Sequence, residues 1–278
     1  MFTVLGANGF IGSHLVAYLR AGGAEVNAPD RADPMTTPPH GSWGHIIYCI
    51  GLTADFRTRL FDTMEAHVSR LLDVLRTGGF ESLLYLSSSR VYGTSGTGRE
   101  DDPISVTPQS KSDLYNISKL AGEALCLTAD HPGFRVARLS NVYGEDWSSQ
   151  NFLTDLLRDA IQGRELEVEI SPESSKDYIA LDDVLEALPK IAAEGRHRLY
   201  NVASGQSVSN RALLDRICAE TGCSWRVRPG APDIAFPQID VSRLTEEFHF
   251  QPASLLDRIP ELVALYRGSQ HASGVSRP

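Results

Sequence analysis

The sequence predicts an α/β fold: a doubly wound parallel sheet followed by a small C-terminal α/β lobe. Strand-length apolar segments alternate with helix-patterned ones as far as Leu139, and a glycine-rich turn, Gly6 to Gly12, joins the first of each kind. Beyond Leu139 the alternation gives way to longer irregular stretches, read as the start of the second lobe. Met1–Leu5 reads as a buried strand, Ile11–Arg20 as a helix, Ala24–Ala28 and Ile46–Ile50 as strands, Phe61–Thr77 as a helix and Ser82–Ser87 as a strand. That order is the signature of strand-helix-strand units around a parallel sheet. Within Phe61–Thr77, the residues Met64, Val68, Leu71, Leu72 and Leu75 recur at helical spacing, so they are expected to face the sheet. A helix over Asp113–Leu127 and a strand over Phe134–Leu139 complete the series. Pro34, Pro38 and Pro39, with Pro29 just before them, exclude a helix or central strand from Arg31–Gly44. Thr94–Ser112, rich in Gly, Ser, Thr and Pro, reads as a long loop beside a site. Gly268–Pro278 is polar and expected to fray.

A chain of 278 residues, 42% hydrophobic and 22% charged, has the composition of an ordinary globular protein with room for one large core and a smaller lobe. Its net charge of −9, from 35 acids against 26 bases spread along the chain, argues against a surface for nucleic acid or acidic lipid. The four cysteines, Cys49, Cys126, Cys218 and Cys223, lack a paired-ligand spacing and read as buried thiols of a reducing compartment, with no metal expected. The first strand begins almost at residue 1 with no basic-then-apolar leader, and no apolar run approaches the ~18 residues of a membrane span. A cytoplasmic protein is expected.

The turn Gly6-Ala7-Asn8-Gly9-Phe10-Ile11-Gly12 sits where glycine has a chemical use. Glycine lets the backbone turn tightly against a pyrophosphate, and the adjoining helix presents free N–H groups and the positive end of its dipole. This is the context of a Rossmann-type nucleotide site. The strand Ala24–Ala28 ends near Asp30, about 20 residues after the glycines, where a carboxylate can accept hydrogen bonds from an adenosine ribose. That favours NAD, while Arg31 beside it could hold a 2′-phosphate and leaves NADP open.

Tyr115 and Lys119 stand four residues apart on a predicted helix and share a face. A phenol with a pKa of about 10 is a poor base at neutral pH, and a neighbouring ammonium lowers that value. The strand ending in Leu83-Leu84-Tyr85-Leu86 runs into Ser87-Ser88-Ser89-Arg90-Val91-Tyr92-Gly93 at the carboxyl edge of the sheet, where open parallel sheets bind ligands. A serine there can orient the hydroxyl with which the phenol exchanges a proton.

Six motifs now stand in order: GANGFIG, the serines before VYG, YNISK, RLSNVYG, KDYIALDDV and YNVASGQ. Together they resemble the extended short-chain dehydrogenases, the NAD-dependent epimerase/dehydratase family, over nearly the whole chain. The resemblance implies a dinucleotide-binding domain over residues 1–140 plus about 176–203, and a substrate lobe over about 141–175 plus 204–270, with 271–278 disordered. It implies Ser88 as the residue orienting the hydroxyl, Tyr115 as the proton-transferring group and Lys119 as the holder of the nicotinamide ribose. Gly6, Asn8, Gly9, Phe10, Ile11, Gly12, Asp30, Arg31, Ile50 and Gly51, with Tyr115 and Lys119, are the expected cofactor contacts. Asn141 and Lys176 match positions that face the substrate diphosphate, Lys176 standing where an arginine is usual, so that a bidentate clamp becomes a point charge. Arg228 resembles the family's other diphosphate arginine, and Arg90 is expected on the substrate side. A homodimer through the helices of Phe61–Thr77 and Asp113–Leu127 is expected by analogy.

The chain also departs from the family's pattern. Too few residues separate Asp30 from Ile46 for the usual third strand, which is expected to be missing or vestigial. His67 stands where the family helix usually carries an asparagine and is read as a packing residue rather than a proton relay. Ser89 and Arg90 replace the acidic pair of the dehydratases, so elimination of water lacks its acid and base. The sequence therefore points to an NAD-dependent nucleotide-sugar epimerase working by transient oxidation of a sugar hydroxyl. A keto-sugar reductase or dehydrogenase is the alternative, and a non-catalytic NAD(P)-binding sensor is a third reading from a different class.

Overall fold

A computed structural model describes residues 1–30, 38–52, 56–94, 96–146 and 149–274, with side chains described as far as 268. Its strands are β1 (Phe2–Leu5), β2 (Val26–Asn27), β3 (His45–Tyr48), β4 (Ser82–Ser88), β5 (Phe134–Leu139), β6 (Asn141–Tyr143), β7 (Leu166–Val168), β8 (Ser175–Ala180), β9 (Leu199–Val202), β10 (Ser207–Ser209) and β11 (Trp225–Val227). Its helices are α1 (Phe10–Ala21), α2 (Leu60–Met64), α3 (Arg70–Thr77), α4 (Lys111–Thr128), α5 (Phe152–Ile161), α6 (Leu181–Glu194), α7 (Asn210–Thr221), α8 (Ser242–Phe248) and α9 (Leu255–Gly274). A π turn, Glu65–Ser69, joins α2 to α3 without a break.

Six strands form the main sheet in the order β2-β1-β3-β4-β5-β9, and every pairing within it is parallel. The sheet is doubly wound because its side chains alternate between two buried faces. Val4, Ile47, Leu84 and Ala137 pack on one side with residues of α1 and α6. Leu5, Tyr48, Leu83, Tyr85 and Val136 pack on the other with residues of α3 and α4. Among the described residues no strand lies beyond β2, as expected from the shortened segment after Asp30. Among the described residues between β2 and β3 stands a turn of 3₁₀ helix, Pro39–Gly41. The strand order reverses between β1 and β3, which places a crevice at their carboxyl ends.

A separate apolar cluster joins α5, α7 and α9 to residues of β6, β7, β8 and β11, with Leu157, Leu213, Ile217, Ile259 and Val263 at its centre. Helix α9 continues as far as Gly274, through residues where the sequence suggested a frayed end.

The apolar stripe expected on Phe61–Thr77 is displaced. Met64, Val68, Leu72 and Leu75 are only partly buried, while Thr63, Ala66, His67, Leu71 and Val74 face inward. The cause is the π turn, which adds a residue to one turn and so rotates the part of the helix before it relative to the part after it. Two polar side chains, Thr63 and His67, are thereby carried into the interior, each fully buried. Helix α4 begins two residues earlier than the periodicity indicated, because the Ser110 side chain caps it by accepting from the Asp113 N–H.

An ion pair fixes α4 on the sheet. Arg138 of β5 and Glu123 of α4, 4% and 2% exposed, meet at 2.6 Å between Nη2 and Oε2, and Nε adds contacts of 3.0 and 3.2 Å. Ser87 of β4 donates to Glu123 Oε1 at 2.5 Å, and Arg138 Nη1 donates to the Tyr92 hydroxyl at 3.1 Å. Removing one partner strands the other charge in the interior. Arg138→Met is therefore expected to lower stability by ~3–5 kcal/mol, with much of the loss recovered in Glu123→Gln/Arg138→Met, as read from urea denaturation midpoints.

Candidate active site

The site begins at the turn after β1. Gly6 has φ +82°, and a Cβ there would lie 2.9 Å from the Cys49 carbonyl carbon and the Ile50 nitrogen at the end of β3. A Cβ on Gly12 would stand 2.2 Å from the Gly6 carbonyl oxygen. The turn, the first coil of α1 and the chain after β3 thus converge with no room for a side chain. Gly9 is the N-cap of α1 and brings no side chain to cap it, so the N–H groups of Phe10, Ile11 and Gly12 have no partner within the helix. Asn8 is exposed beside them. Such a turn can take a pyrophosphate, through its backbone groups and the positive end of the α1 dipole. Asp30 is exposed, three residues past the end of β2, while Arg31 lies outside the described residues.

The other wall is α4. Tyr115, Lys119 and Glu123 follow one another at four-residue spacing along its buried face. Lys119 is 4% exposed; its Nζ donates to the Leu86 carbonyl at 2.9 Å and stands 5.9 Å from the centre of the Tyr115 ring. Burial pulls the Lys119 pKa down to about 7, with Glu123 opposing the shift. Its ammonium is then easily deprotonated near neutral pH. Gly51 lies against this group, since a Cβ on it would be 3.5 Å from Lys119 Nζ and 3.4 Å from His67 Nε2.

Tyr115 is 5% exposed, with its side chain near that of Ser88 at the end of β4. Burial raises the pKa of the phenol; the Ser88 hydroxyl and the charge of Arg90 act against that rise. Ser88 also accepts from the Arg90 N–H at 3.2 Å, which starts the 3₁₀ turn Ser89–Tyr92 and aims Arg90 over the site. The Arg90 Cζ stands 6.0 Å from the Tyr115 ring centre, so two cationic side chains stand near the phenol. The structure thus brings Ser88, Tyr115, Lys119 and Arg90 together with Gly51.

Lys176 and Asn141 come close through β8 and β6. Asn141 Nδ2 donates to the Asp177 carbonyl at 2.7 Å, next to Lys176, whose Nζ lies 5.2 Å from the Phe152 ring centre and 5.8 Å from that of Phe236. Burial lowers the Lys176 pKa, and Arg90 adds to the shift. The Arg57 Cζ lies 4.5 Å from the Phe56 ring centre and Arg90's 5.4 Å from it. Among the described residues, none of Arg57, Arg90 and Lys176 pairs with a carboxylate. Arg228 is placed differently: it is exposed just past the strand β11, with its guanidinium held by Glu167 at 3.3 Å and by Glu169.

His67 contributes more than the sequence suggested. Its Nε2 accepts from the Leu52 N–H at 3.1 Å, which leaves the proton on Nδ1 to donate to the Ser118 hydroxyl at 2.8 Å. Its ring stands edge-on to Tyr115 with centroids 5.4 Å apart. The imidazole thereby ties the chain after β3 to the helix that carries Tyr115. Arg57 and the aromatic residues Phe56, Phe152 and Phe236 were also missed, because only the fold brings their separate segments to one mouth.

Residues 2–203 match the model of the family described as NAD dependent epimerase/dehydratase family. The chain is 27% identical, over 311 aligned residues and 95% of each chain, to a dTDP-4-dehydro-6-deoxy-D-allose reductase from Streptomyces sp. It is 30% identical to GDP-6-deoxy-D-mannose reductase from Pseudomonas aeruginosa, over 76% of this chain and 77% of that one. The solved structure of MoeE5 in complex with UDP-glucose and NAD shares the fold with a TM-score of 0.78, at 24% identity, over 97% of this chain and 99% of that one.

His67 gives the site a pH signature. Burial holds its pKa down to about 2, below the ordinary 6.5, so the unfolded chain takes up a proton that the folded one does not. The stability tied to it is complete above pH ~6.5 and is lost as the pH falls. Between pH 7 and 5 the wild type is expected to lose about 2 kcal/mol more than His67→Asn, whose amide can replace both hydrogen bonds, in urea denaturation. Equal losses in the two proteins would show that the imidazole is not held neutral.

Proposed function

Because the chain belongs to the NAD dependent epimerase/dehydratase family, we propose that it is an NAD(P)-dependent reductase of nucleotide-activated keto sugars. The observation that carries the reading is the state of Tyr115: a buried phenol beside Ser88, kept protonated by its burial. Such a group is set to give a proton to a carbonyl oxygen. The full-length similarity to the Streptomyces reductases supports the same direction.

The glycine cradle, Asp30, Gly51 and Lys119 are the groups that would hold the dinucleotide, and they fit it, since Gly6 and Gly12 stand where a Cβ would strike backbone and the first N–H groups of α1 have no partner within the helix. When bound, NAD(P)H supplies the hydride that reduction of a carbonyl requires. The protein's own part is orientation and proton transfer. Ser88 holds the substrate oxygen beside the Tyr115 hydroxyl, which donates its proton to that oxygen. The phenolate left behind is stabilised by Lys119 and Arg90, both near its ring. Lys119, easily deprotonated near neutral pH, is suited to returning a proton to Tyr115.

At the mouth, Arg57, Arg90 and Lys176 concentrate positive charge on a chain of net charge −9, with Phe56, Phe152 and Phe236 between them. A nucleoside diphosphate presents the matching chemistry, an aromatic base and an anionic linker. Asn141 would add a hydrogen bond, while Arg228 would first have to leave Glu167 and Glu169.

Epimerisation uses the same three side chains and differs in that the keto sugar turns over and is reduced again without leaving. Two measurements separate these readings. A dTDP-linked 4-keto-6-deoxy sugar, the substrate class named for the Streptomyces relatives, is expected to oxidise added NADH or NADPH in stoichiometric amount. Tightly retained NAD, with inversion of an intact sugar nucleotide and no net oxidation of either cofactor, would instead establish an epimerase. Tyr115→Phe is expected to lower turnover by ~100-fold or more while leaving dinucleotide affinity unchanged, and retained turnover would remove Tyr115 from the reaction.

A further inference from the structure

Helix α7 ends in an arrangement that the reaction does not use. After Thr221 comes Gly222 with φ +76°, and its N–H donates to the Cys218 carbonyl at 2.8 Å. This left-handed closure turns the chain back so that the residue after the glycine lies over the last turn of the helix, where an apolar contact usually seals the end. Here both partners in that contact are cysteines. Cys218 Sγ and Cys223 Sγ stand 2.9 Å apart, nearer than the ~4.0–4.5 Å of ordinary apolar side-chain contact. The Thr221 hydroxyl lies 3.2 Å from the Cys223 sulfur. Both thiols are half-buried, within reach of a small reagent, whereas Cys126 is fully enclosed.

We propose that Cys218 and Cys223 form a reversible dithiol–disulfide site whose oxidant is a small disulfide of the glutathione type. Cys223, as thiolate, attacks one sulfur of the small disulfide and displaces a small thiolate. Cys218 then gives up its proton and attacks the Cys223 sulfur, displacing the second small thiolate. Two protein thiols lose two electrons and two protons, and the small disulfide gains them as two thiols. Burial pushes the Cys218 thiol up to about 12, which suits it to the second step rather than the first. The bond would join the end of α7 to the residues leading into β11. Both belong to the cluster around α5, α7 and α9, whereas Tyr115 and Lys119 lie on α4, so the site does not depend on the function proposed above.

The test uses the full chain with oxidised glutathione as the probe, counting free thiols after denaturation and mapping the linked peptides by mass. Of the four thiols, two are expected to disappear, with a bond between Cys218 and Cys223, and dithiothreitol is expected to restore all four. Cys218→Ser should instead retain a glutathione adduct on Cys223, since the group that displaces it is gone. Four persistent thiols in the wild type, a stable adduct with no internal bond, or a bond through Cys49 or Cys126 would each overturn the proposal. Thermal unfolding of Cys218→Ser, expected to match the reduced wild type, checks that the variant is folded.

Discussion

The pairing of Arg138 with Glu123 is the constraint on which the site's geometry rests. Glu123 lies one turn along α4 from Lys119, and Lys119 one turn from Tyr115, so fixing the acid on the sheet fixes the axial position and rotation of the helix. Ser87 shares the same carboxylate, and Ser88, the next residue, lies near Tyr115. One buried carboxylate therefore sets strand and helix in a common register. A buried pair of this kind adds little net stability, because desolvation offsets most of its attraction. Its value is conformational: a slide of α4 along the sheet would strand a guanidinium in an apolar interior.

Electrostatics divides the rest of the site. Lys119 is enclosed and held near its titration point, whereas Arg90 stays charged at any physiological pH. One group can exchange a proton beside the phenol while the other holds a constant field. Two buried carboxylates of α4 and β8 are spent away from this mouth, while Asp113 of α4 acts on Arg90. Glu123 is taken by Arg138, and Asp177 by the Ser204 N–H and hydroxyl, each at 2.9 Å.

Much of this was legible in the sequence where the physics is local. The glycine turn, the alternation of strand and helix, and the four-residue spacing of Tyr115 and Lys119 each depend on neighbours within about two turns of chain. The shortness of the segment between Asp30 and Ile46 could be read by counting residues. What stayed hidden was long-range. Nothing in the sequence says that Arg138 meets Glu123, or that Lys176 approaches Phe236, and Arg228 looks like a phosphate ligand until its acidic strand neighbours are seen. The apolar stripe on Phe61–Thr77 misled because a regular period was assumed. Inside that segment Thr63 and His67 were the discordant residues, and their burial is where the regular period fails.

The π turn at Glu65–Ser69 holds its place through two tyrosines: the Tyr48 hydroxyl donates to the Ala66 carbonyl at 2.6 Å and the Tyr85 hydroxyl to that of His67 at 3.3 Å. Its effect lies in the count of residues rather than in any side chain. The wide turn absorbs the extra residue, so deleting one there would leave a regular helix with Thr63 still facing inward. Deleting one from α3, where no wide turn takes up the change, would instead swing the two sides of the cut by about 100° relative to each other. Tolerance for a lost residue is thus local to a single turn of this helix.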